Sequence, residues 1–480
     1  MTMLAAAALT VIAIVTQDQT ALRAAPRDSA PQQAALWQGD RLEIRGQKGD
    51  YLQVYDHRRE RAGYVRAGQA RVQSLKPEAA PEMLSIVRFL KDMPGSEALG
   101  IAYGTAYLKS APSPERESEA FDAIGTMAER LARRASSRQS KAAAETTAAH
   151  LEVAAAYGVG MQSVERDGQV QLCYDGDADR RVLALPSTPE QKARAALALT
   201  KHECVPPSLT PVERFAHDNW RAEVLDRVET RDLPEVAKNR LHLRKAGVWA
   251  SLAYQRSRRT ETGQATAQAA GARAIEELAA INKSELMESD APAYSDAAIR
   301  VGASRWAAFP AAPAGGTKAP AKLSVVTKPG QPGETCIHLV DAKHAAANPL
   351  ATRCTYGVVW TASATANREG TALALAVQPL DTWREMWMFR QGPEGWTIEV
   401  LPPGLDNPSL GYVEFAGWVA GSAQILTARE IRTEARYRQS FEVRNLATLN
   451  VEKQADRPGN LSTFHRWQDP LWKGQTVAVR

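Results

Sequence analysis

The pattern of apolar and polar positions divides the chain into three regions. Between residues 20 and 76 apolar residues alternate with polar ones, as in half-buried strands, and glycines stand at the turns. Over 80–305 apolar residues recur every three or four positions, so that each set lines one stripe of a helix. Strand patterns return over 321–480. We therefore predict a multidomain chain with a β domain, a central all-α array and a second, antiparallel β domain.

The central region carries helix-start signals in addition to its periodicity. At Thr188 and at Thr210 a capping threonine is followed by proline at the first helical position and by Gln or Glu at the third. We expect six to nine helices over 80–305, packed antiparallel or as an irregular solenoid. A segment rich in Pro, Ala and Gly, 306–320, cannot pack a core and is predicted to be a linker.

The C-terminal region contains a loose duplication. Each copy starts with an aromatic-ended strand, Tyr356–Trp360 in the first copy and Tyr412–Trp418 in the second, and continues with an inner apolar strand and one or two outer strands. The second copy, about 412–450, is similar to a β-propeller blade. Two blades cannot close a propeller, which takes four or more, so we predict an antiparallel sheet or sandwich.

The N-terminus carries an apolar run from Met3 to Val15, followed at once by polar residues. Its length is typical of a signal peptide and too short for a bilayer span, so residues 1–16 are predicted to be a signal peptide. No Lys or Arg precedes the run, which is unusual for such a segment. The alternative is a buried helix or strand of a cytosolic protein. No integral membrane segment is expected elsewhere, because no apolar run reaches ~18 residues.

The four cysteines fall into two local couples, Cys173 with Cys204 and Cys336 with Cys354. Four cysteines permit three connectivities, of which pairing within each couple is the most economical. Two disulfides would place the protein in the periplasm or outside the cell, whereas free thiols would fit the cytosol. The chain has no C-x-x-C motif, and neither a metal nor another cofactor is predicted.

Three spaced motifs in the first region resemble those of a bacterial SH3-like domain. They are the hairpin Leu36–Ile44, the strand Gly49–Val54 and the closing Gly63–Val65, while Ala25 replaces the usual glycine before proline. The resemblance covers 20–76. It implies a small β-barrel of the kind common in exported and cell-wall proteins, and it implies binding of peptide or cell-wall material by analogy.

The aromatic and basic residues of this SH3-like module are the candidate ligand residues. Aromatic rings can line a groove for an extended peptide, and arginines can bind an anionic wall polymer or a peptide carboxylate. The alternative is that the tyrosines close the barrel core and the arginines belong to a solvated loop. The candidates are Trp37, Tyr51, Tyr55, Tyr64, Arg58 and Arg59.

Two polar clusters outside this module contain residues that could carry chemistry. Asp175, Asp177 and Asp179 have the spacing that opens a calcium-binding loop, but Arg180 and Pro186 replace its required glycine and glutamate, so an acidic loop or helix start is expected. The second cluster is His338, Asp341 and His344, which could form a general-base site or belong to a surface loop held by a disulfide.

Charge and motifs limit the function classes. The net charge of +5 on 480 residues does not imply nucleic acid, and the sequence contains no hydrolase, nucleotide-binding or zinc-protease signature. We therefore expect an exported, non-catalytic binding or scaffold protein whose partner is a peptide, peptidoglycan or another envelope protein. The alternatives are an exported enzyme with its site around His338, and an adaptor that uses the helical array.

Overall fold

The computed structural model describes residues 11–110, 113–166, 168–259, 263–310, 323–405, 410–433 and 436–479. The chain divides into two compact units. The first unit comprises Met1–Leu209 and Val224–Leu233, and the second comprises Thr210–Glu223 and Pro234–Arg480.

The first unit begins with a seven-stranded antiparallel sheet in the order β3-β2-β6-β5-β4-β1-β7. Its core is formed by side chains such as Leu22, Leu42 and Val54. The predicted N-terminal β domain is therefore present, but in the described chain β3 and β7 remain edges, and a closed SH3-like barrel is not confirmed. The strands are β1 (Val11–Val15), β2 (Thr20–Arg23), β3 (Gln32–Leu36), β4 (Arg41–Lys48), β5 (Tyr51–Asp56), β6 (Arg61–Arg66) and β7 (Ala70–Ser74).

Part of the segment predicted to be a signal peptide, Val11–Val15, forms strand β1. Val11–Val15 pairs with both β4 and β7, so cleavage after residue 16 would remove an inner strand of the sheet. Ala13 and Val15 pack into the sheet core, whereas Ile12 and Ile14 pack against the helices of the first unit. A strand buried on both faces is apolar at every position, so this apolar run fits such a strand as well as a signal peptide. Residues 1–10 of that prediction lie outside the described residues.

In the described part of the first unit, helices α1–α6 and the hairpin β8–β9 follow the sheet. The side chain of Thr188 caps α6 and Gln191 returns the bond, so the capping box predicted there is confirmed. The elements are α1 (Ala80–Lys91), α2 (Glu97–Lys109), α3 (Pro114–Ala135), α4 (Lys141–Ala156), β8 (Met161–Arg166), β9 (Gln169–Tyr174), α5 (Asp177–Ala184) and α6 (Pro189–Leu199).

The helical region does not form one domain over 80–305 as predicted. Helices α1–α6 belong to the first unit, whereas α8–α10 belong to the second and α7 falls mainly in the second. At the start of α7, Thr210 and Glu213 exchange the predicted capping bonds. These helices are α7 (Pro211–Asp226), α8 (Glu235–Ser257), α9 (Gly263–Ala279) and α10 (Ala291–Ser304). Among the described residues, no helix is both long and apolar enough to cross a bilayer.

The second unit contains two sheets, as expected for a C-terminal β domain. A three-stranded sheet, β10-β11-β12, precedes an eight-stranded sheet in the order β13-β14-β15-β17-β18-β19-β20, with β16 also paired to β15. Strands β13–β16 and β17–β20 form two successive antiparallel meanders, which correspond to the two sequence copies. The strands are β10 (Ser324–Pro329), β11 (Thr335–Val340), β12 (Ala351–Thr355), β13 (Val358–Ala366), β14 (Ala372–Leu380), β15 (Trp383–Gly392), β16 (Gly395–Leu401), β17 (Gly411–Val419), β18 (Gln424–Thr433), β19 (Arg436–Asn445) and β20 (Val451–Ala455).

Two helices, α11 (Ser462–Trp467) and α12 (Pro470–Val479), follow the second sheet. Gly417 of β17 allows the segment between them to approach the sheet, because a Cβ atom there would lie 2.3 Å from the carbonyl oxygen of Trp467. The backbone N–H of Asp469 donates to the carbonyl oxygen of Ala416. Glycine at this position therefore leaves room for the segment between α11 and α12 to lie against β17.

Both predicted disulfides are present. Cys173 of β9 is bonded to Cys204, and Cys336 of β11 is bonded to Cys354, its direct partner on β12. Each bond lies within one unit. Because disulfides persist in oxidising compartments, this pairing indicates a protein of the periplasm or the extracellular space.

Candidate functional site

A cleft of about 390 Å³ opens in the second unit where β15 and β17 part. These two parallel strands pair at Trp383–Gly411 and Arg384–Tyr412. Just beyond those pairs, Met386 of β15 and Glu414 of β17 line the opening. Its volume lies in the range of small-molecule sites.

The walls of the cleft are largely aromatic and aliphatic. A 3-10 turn (Arg305–Ala308) that follows α10 supplies Arg305 and Trp306, and Phe309 lies next to it with its ring centroid 5.6 Å from that of Trp306. Trp472 of α12 also lines the cleft. Further lining residues are Pro310, Ala362, Ser363, Ala364, Thr365, Leu375, Ala376, Val413, Phe415, Asp469 and Leu471.

A buried ion cluster lies beside these walls. Glu414 is 3% exposed and accepts hydrogen bonds from Arg384 at 2.9 Å and from the indole N–H of Trp472 at 2.7 Å. Arg305 contacts the same carboxylate oxygen as Arg384, at 3.1 Å. Burying charges is costly unless they are paired and hydrogen-bonded. Here one carboxylate pairs with two guanidinium groups and accepts a hydrogen bond from an indole. Glu414 is thus fully engaged.

Two buried N–H donors that belong to cleft-lining residues have no hydrogen-bond partner among the described residues. They are the Nε of Arg305 and the Nε1 of Trp306. The Arg305 side chain is 9% exposed. Next to them, the Nε and Nη1 of Arg384 also lack a partner. Buried polar atoms are nearly always hydrogen-bonded in folded proteins, so such a group of unpartnered donors is unusual.

A second carboxyl group, that of Glu430, interacts electrostatically with Glu414 of this cluster. Burial, and next the negative charge of Glu414, raise the pKa of Glu430 to about 8. The amide of Gln439 donates to Glu430 at 2.6 Å. At pH 7 Glu430 is therefore largely protonated.

The sequence-predicted ligand residues of the N-terminal module fall into two groups. The strand register places Tyr55, Tyr51 and Tyr64 on one face, opposite the core side chains Leu52 and Val54. Tyr51 is buried on that face, and its hydroxyl donates to Asp28. Tyr55 and Tyr64 are half-buried.

Cations cover the two half-buried tyrosines. The guanidinium of Arg45 lies 4.1 Å from the centroid of the Tyr55 ring, and the ammonium of Lys48 lies 5.9 Å from that of Tyr64. We call Gln53, Tyr55 and Tyr64, with these two cations, the tyrosine face. It is polar, aromatic and open at the surface of the sheet.

The other three candidates lie apart from the tyrosine face. Arg58 pairs with Asp40 and Glu152, and Arg59 pairs with Asp40 and Asp56. Trp37 meets the ring of His150 edge-on at 6.4 Å. These arginines already have buried carboxylate partners, so an anionic ligand would have to compete with them.

The described contacts do not join His338 to Asp341 and His344, the cluster predicted near the second disulfide. His344 bonds to Asp341 at 2.9 Å within one loop, and its interaction lowers the pKa of that carboxyl group. His338 lies on β11, where its ring contacts Thr352 at 3.3 Å. Both imidazoles are partly exposed.

The acidic run Asp175–Asp179 forms the start of α5, as one of the sequence-based alternatives proposed. Asp177 pairs with Arg181 at 3.1 Å, whereas Asp179 turns inward and is 5% exposed. Three residues of kinds that can bind a metal ion do lie together elsewhere in the described chain, at Glu334, Cys336 and Cys354. Its two sulfur atoms are bonded to each other.

Sequence reasoning missed the residues that build the cleft. It assigned 306–320 to a linker, but Trp306, Phe309 and Pro310 line the cleft, while 311–320 lie outside the described residues. The one signal that could have found them is the pair of aromatic rings directly before the Pro/Ala/Gly segment. Comparisons of the chain with protein-family models, curated proteins and solved structures found no match, so function must be inferred from the geometry of the site.

Proposed function

We propose that this chain is an exported binding protein whose ligand occupies the cleft of the second unit. The size of the cleft, about 390 Å³, and its largely aromatic and aliphatic walls carry this proposal. These walls would shield an apolar ligand from water.

Binding is favoured over catalysis because the carboxylates at the cleft already have partners. Glu414 accepts hydrogen bonds from Arg384 and Trp472 and forms an ion pair with Arg305, and Oδ1 of Asp469 accepts from the backbone N–H groups of Leu471 and Trp472. A general base needs a free acceptor within reach of its substrate. The two disulfides support export, and we propose the periplasm or the extracellular space as the site of action.

The cleft is expected to bind N-phenyl-1-naphthylamine, a neutral dye that becomes fluorescent in apolar surroundings. Replacing Ala362, which lines the cleft, with tryptophan would fill it and weaken dye binding at least about tenfold, or 1.4 kcal/mol. The matched control is Lys453→Trp on the exposed face of β20. Fluorescence titration of the full chain measures both. Equal dye affinity in the two variants would place the dye elsewhere and refute the cleft as the site.

The SH3-like module is a second candidate, and the tyrosine face is the observation that favours it. Tyr55 and Tyr64 present half-buried rings beside Gln53 on one face of the sheet. Rings of this kind stack on sugars and on extended peptides, while Arg45 and Lys48 supply charge at the edge. This function rests on the SH3-like resemblance as well as on the strand register.

If the tyrosine face binds cell-wall material, purified peptidoglycan should retain the full chain at low salt. Tyr64→Ala is expected to reduce the retained fraction several-fold, because it removes one of the two accessible rings. Tyr356→Ala, at a tyrosine that is 55% exposed in the second unit, is the control and should leave retention unchanged. No retention of the unmodified chain would exclude this candidate without affecting the cleft.

A further inference from the structure

Building on the second candidate function, we propose that the tyrosine face binds an acidic polysaccharide, a chain of sugar rings that carry carboxylates. One such ring would lie on Tyr64, with its hydroxyl groups at the amide of Gln53 and its carboxylate at Arg23 and Lys48. The inference rests on the tyrosine face as a binding surface and adds the chemistry of its ligand. It is independent of the cleft in the second unit.

A row of side chains crosses the open face of the N-terminal sheet at Tyr64. Arg23 of β2 pairs directly with Tyr64 of β6, which also pairs with Gln53 of β5. The next partner of Gln53 is Gly46 of β4, which has no side chain. Directly paired residues project from the same side of a sheet, and neighbouring strands lie about 4.8 Å apart. Leu22 packs into the sheet core, so its neighbour Arg23 projects to the open face with the tyrosine.

The side chains of this row are accessible from solvent. Arg23, Gln53 and Tyr64 are half-buried, and the nearby Lys48 is exposed. The side-chain amide of Gln53 has no hydrogen-bond partner among the described residues. An amide both donates and accepts hydrogen bonds, as sugar hydroxyl groups do. The row thus presents a cation, an aromatic ring and an available amide side by side.

Two cations beside Tyr64 have no carboxylate partner in the described part of the chain. Arg23 donates to the carbonyl oxygen of Ala30 at 2.9 Å, and the ammonium of Lys48 lies 5.9 Å from the centroid of the Tyr64 ring. Lysine carries a compact charge on a flexible stem, so Lys48 can move aside for a sugar ring and meet its carboxylate. Hydrogen bonds between charged partners are about twice as strong as neutral ones.

The carboxylates of this surface are set mainly against other cations. Asp28 pairs with Arg66, which lowers the pKa of that carboxyl group chiefly through its hydrogen bond, and Glu43 pairs with Arg45 at 3.3 Å. Asp50, in the turn after β4, forms no ion pair among the described residues. With all three acids counted, the cations still exceed the carboxylates by one, and the unpaired cations are those beside the tyrosine ring. This placement is complementary to an anionic ligand.

The position of the row within the sheet favours a saccharide over a peptide. Extended peptides that bind sheets add as a strand at an edge, where backbone groups are unpaired. Strand β6 lies between β2 and β5, so Tyr64 is on an inner strand. A uronate ring combines an apolar C–H face for the tyrosine, hydroxyl groups for the Gln53 amide and a carboxylate for a cation. One sugar unit can therefore satisfy the whole row.

The ligand class is tested with tetragalacturonate and its methyl ester, which has the same rings and no charge. Calorimetric titration of the full chain at low salt is expected to show that the acid binds at least about fivefold tighter. About 1 M NaCl should remove most of this preference, because it shortens the screening length to about 3 Å. Equal affinities at low salt would overturn the inference. Tetraglutamate that binds as tightly as tetragalacturonate would overturn the choice of a saccharide.

Variants separate the charge from the ring. Lys48→Gln and Arg23→Gln are each expected to lower the preference for the acid to about twofold or less, whereas Tyr64→Ala should weaken both saccharides alike. Arg438→Gln, at an exposed position of β19 in the second unit, removes the same charge and should keep the full preference. Circular dichroism verifies that each variant is folded. Folded Lys48→Gln and Arg23→Gln variants that both keep the preference would overturn the assignment of these cations.

The failure of this inference can be told from the failure of the second candidate function. Retention on peptidoglycan without binding of either saccharide would refute the acidic polysaccharide and leave the tyrosine face as a binding surface. If peptidoglycan does not retain the chain and neither saccharide binds, both are refuted. Binding of the neutral dye to the cleft is unaffected in either case.

Discussion

Replacing Arg384 with methionine is expected to lower the free energy of unfolding of the second unit by about 3 kcal/mol or more. Arg384 is completely buried and donates to Glu414 at 2.9 Å. Removing one partner of a buried ion pair leaves the other charge undercompensated, which typically costs 3–5 kcal/mol. Burial lowers the pKa of Arg384 to about 10, so the side chain is still cationic at pH 7 and does not escape the cost by losing its proton.

Urea denaturation followed by tryptophan fluorescence and far-UV circular dichroism measures this change. The matched control is Arg438→Met on β19, where an arginine is exposed, and it should shift the midpoint little. Adding Glu414→Gln to Arg384→Met should recover part of the loss, because it removes the carboxylate charge that Arg384 neutralised. Equal shifts for Arg384→Met and Arg438→Met would contradict the role of the buried cluster in stability.

Replacing Asp179 with asparagine is expected to stabilise the first unit at neutral pH by up to about 4 kcal/mol and to flatten its stability against pH. Burial, and next the charge of Asp122, raise the pKa of Asp179 from 3.8 to about 8. Gly125 makes this burial possible, because a Cβ atom there would lie 2.7 Å from a carboxylate oxygen of Asp179.

The direction of this pH dependence follows from the number of protons that Asp179 binds in the folded and in the unfolded chain. Between pH 4 and pH 8 folded Asp179 keeps its proton while the unfolded chain has released it, so stability is highest near pH 4 and falls as pH rises, by about 1.4 kcal/mol per unit for this group. Asparagine has no charge to bury and removes this slope.

Denaturation midpoints at pH 5, 6, 7 and 8 test the prediction for Asp179. The matched control is Asp177→Asn, two residues earlier on α5, where the side chain is 57% exposed and pairs with Arg181 on the surface. This control should leave the slope of stability against pH as it is in the unmodified chain. Parallel curves for the unmodified chain and Asp179→Asn would show that Asp179 is not the buried acid inferred here.

Local signals in the sequence were reliable where the structure depends on neighbouring residues. The capping threonines Thr188 and Thr210 start α6 and α7 as expected, because a cap is completed within four residues of chain. The order of strands, helices and strands follows from the same short-range periodicity. The pairing of Cys336 with Cys354 also follows from proximity along the chain.

Strand β1 shows where such signals become ambiguous. A continuous apolar run fits a signal peptide and a strand buried on both faces equally well. The run forms a strand buried on both faces only if Ile14 can pack against a second apolar surface. Helices α1–α3, which lie far along the chain, provide that surface. Nothing within the run itself carries that information.

The sequence by itself determined the kind of each element, the helix starts, the two disulfides and the aromatic character of the N-terminal sheet. Only the tertiary structure decided which face of that sheet its tyrosines occupy and where a ligand-sized cleft opens. Arg384 and Trp472 reach Glu414 from positions 30 and 58 residues away. Burial and charge pairing of this kind arise from distant segments meeting in space, so the cleft leaves almost no pattern along the chain.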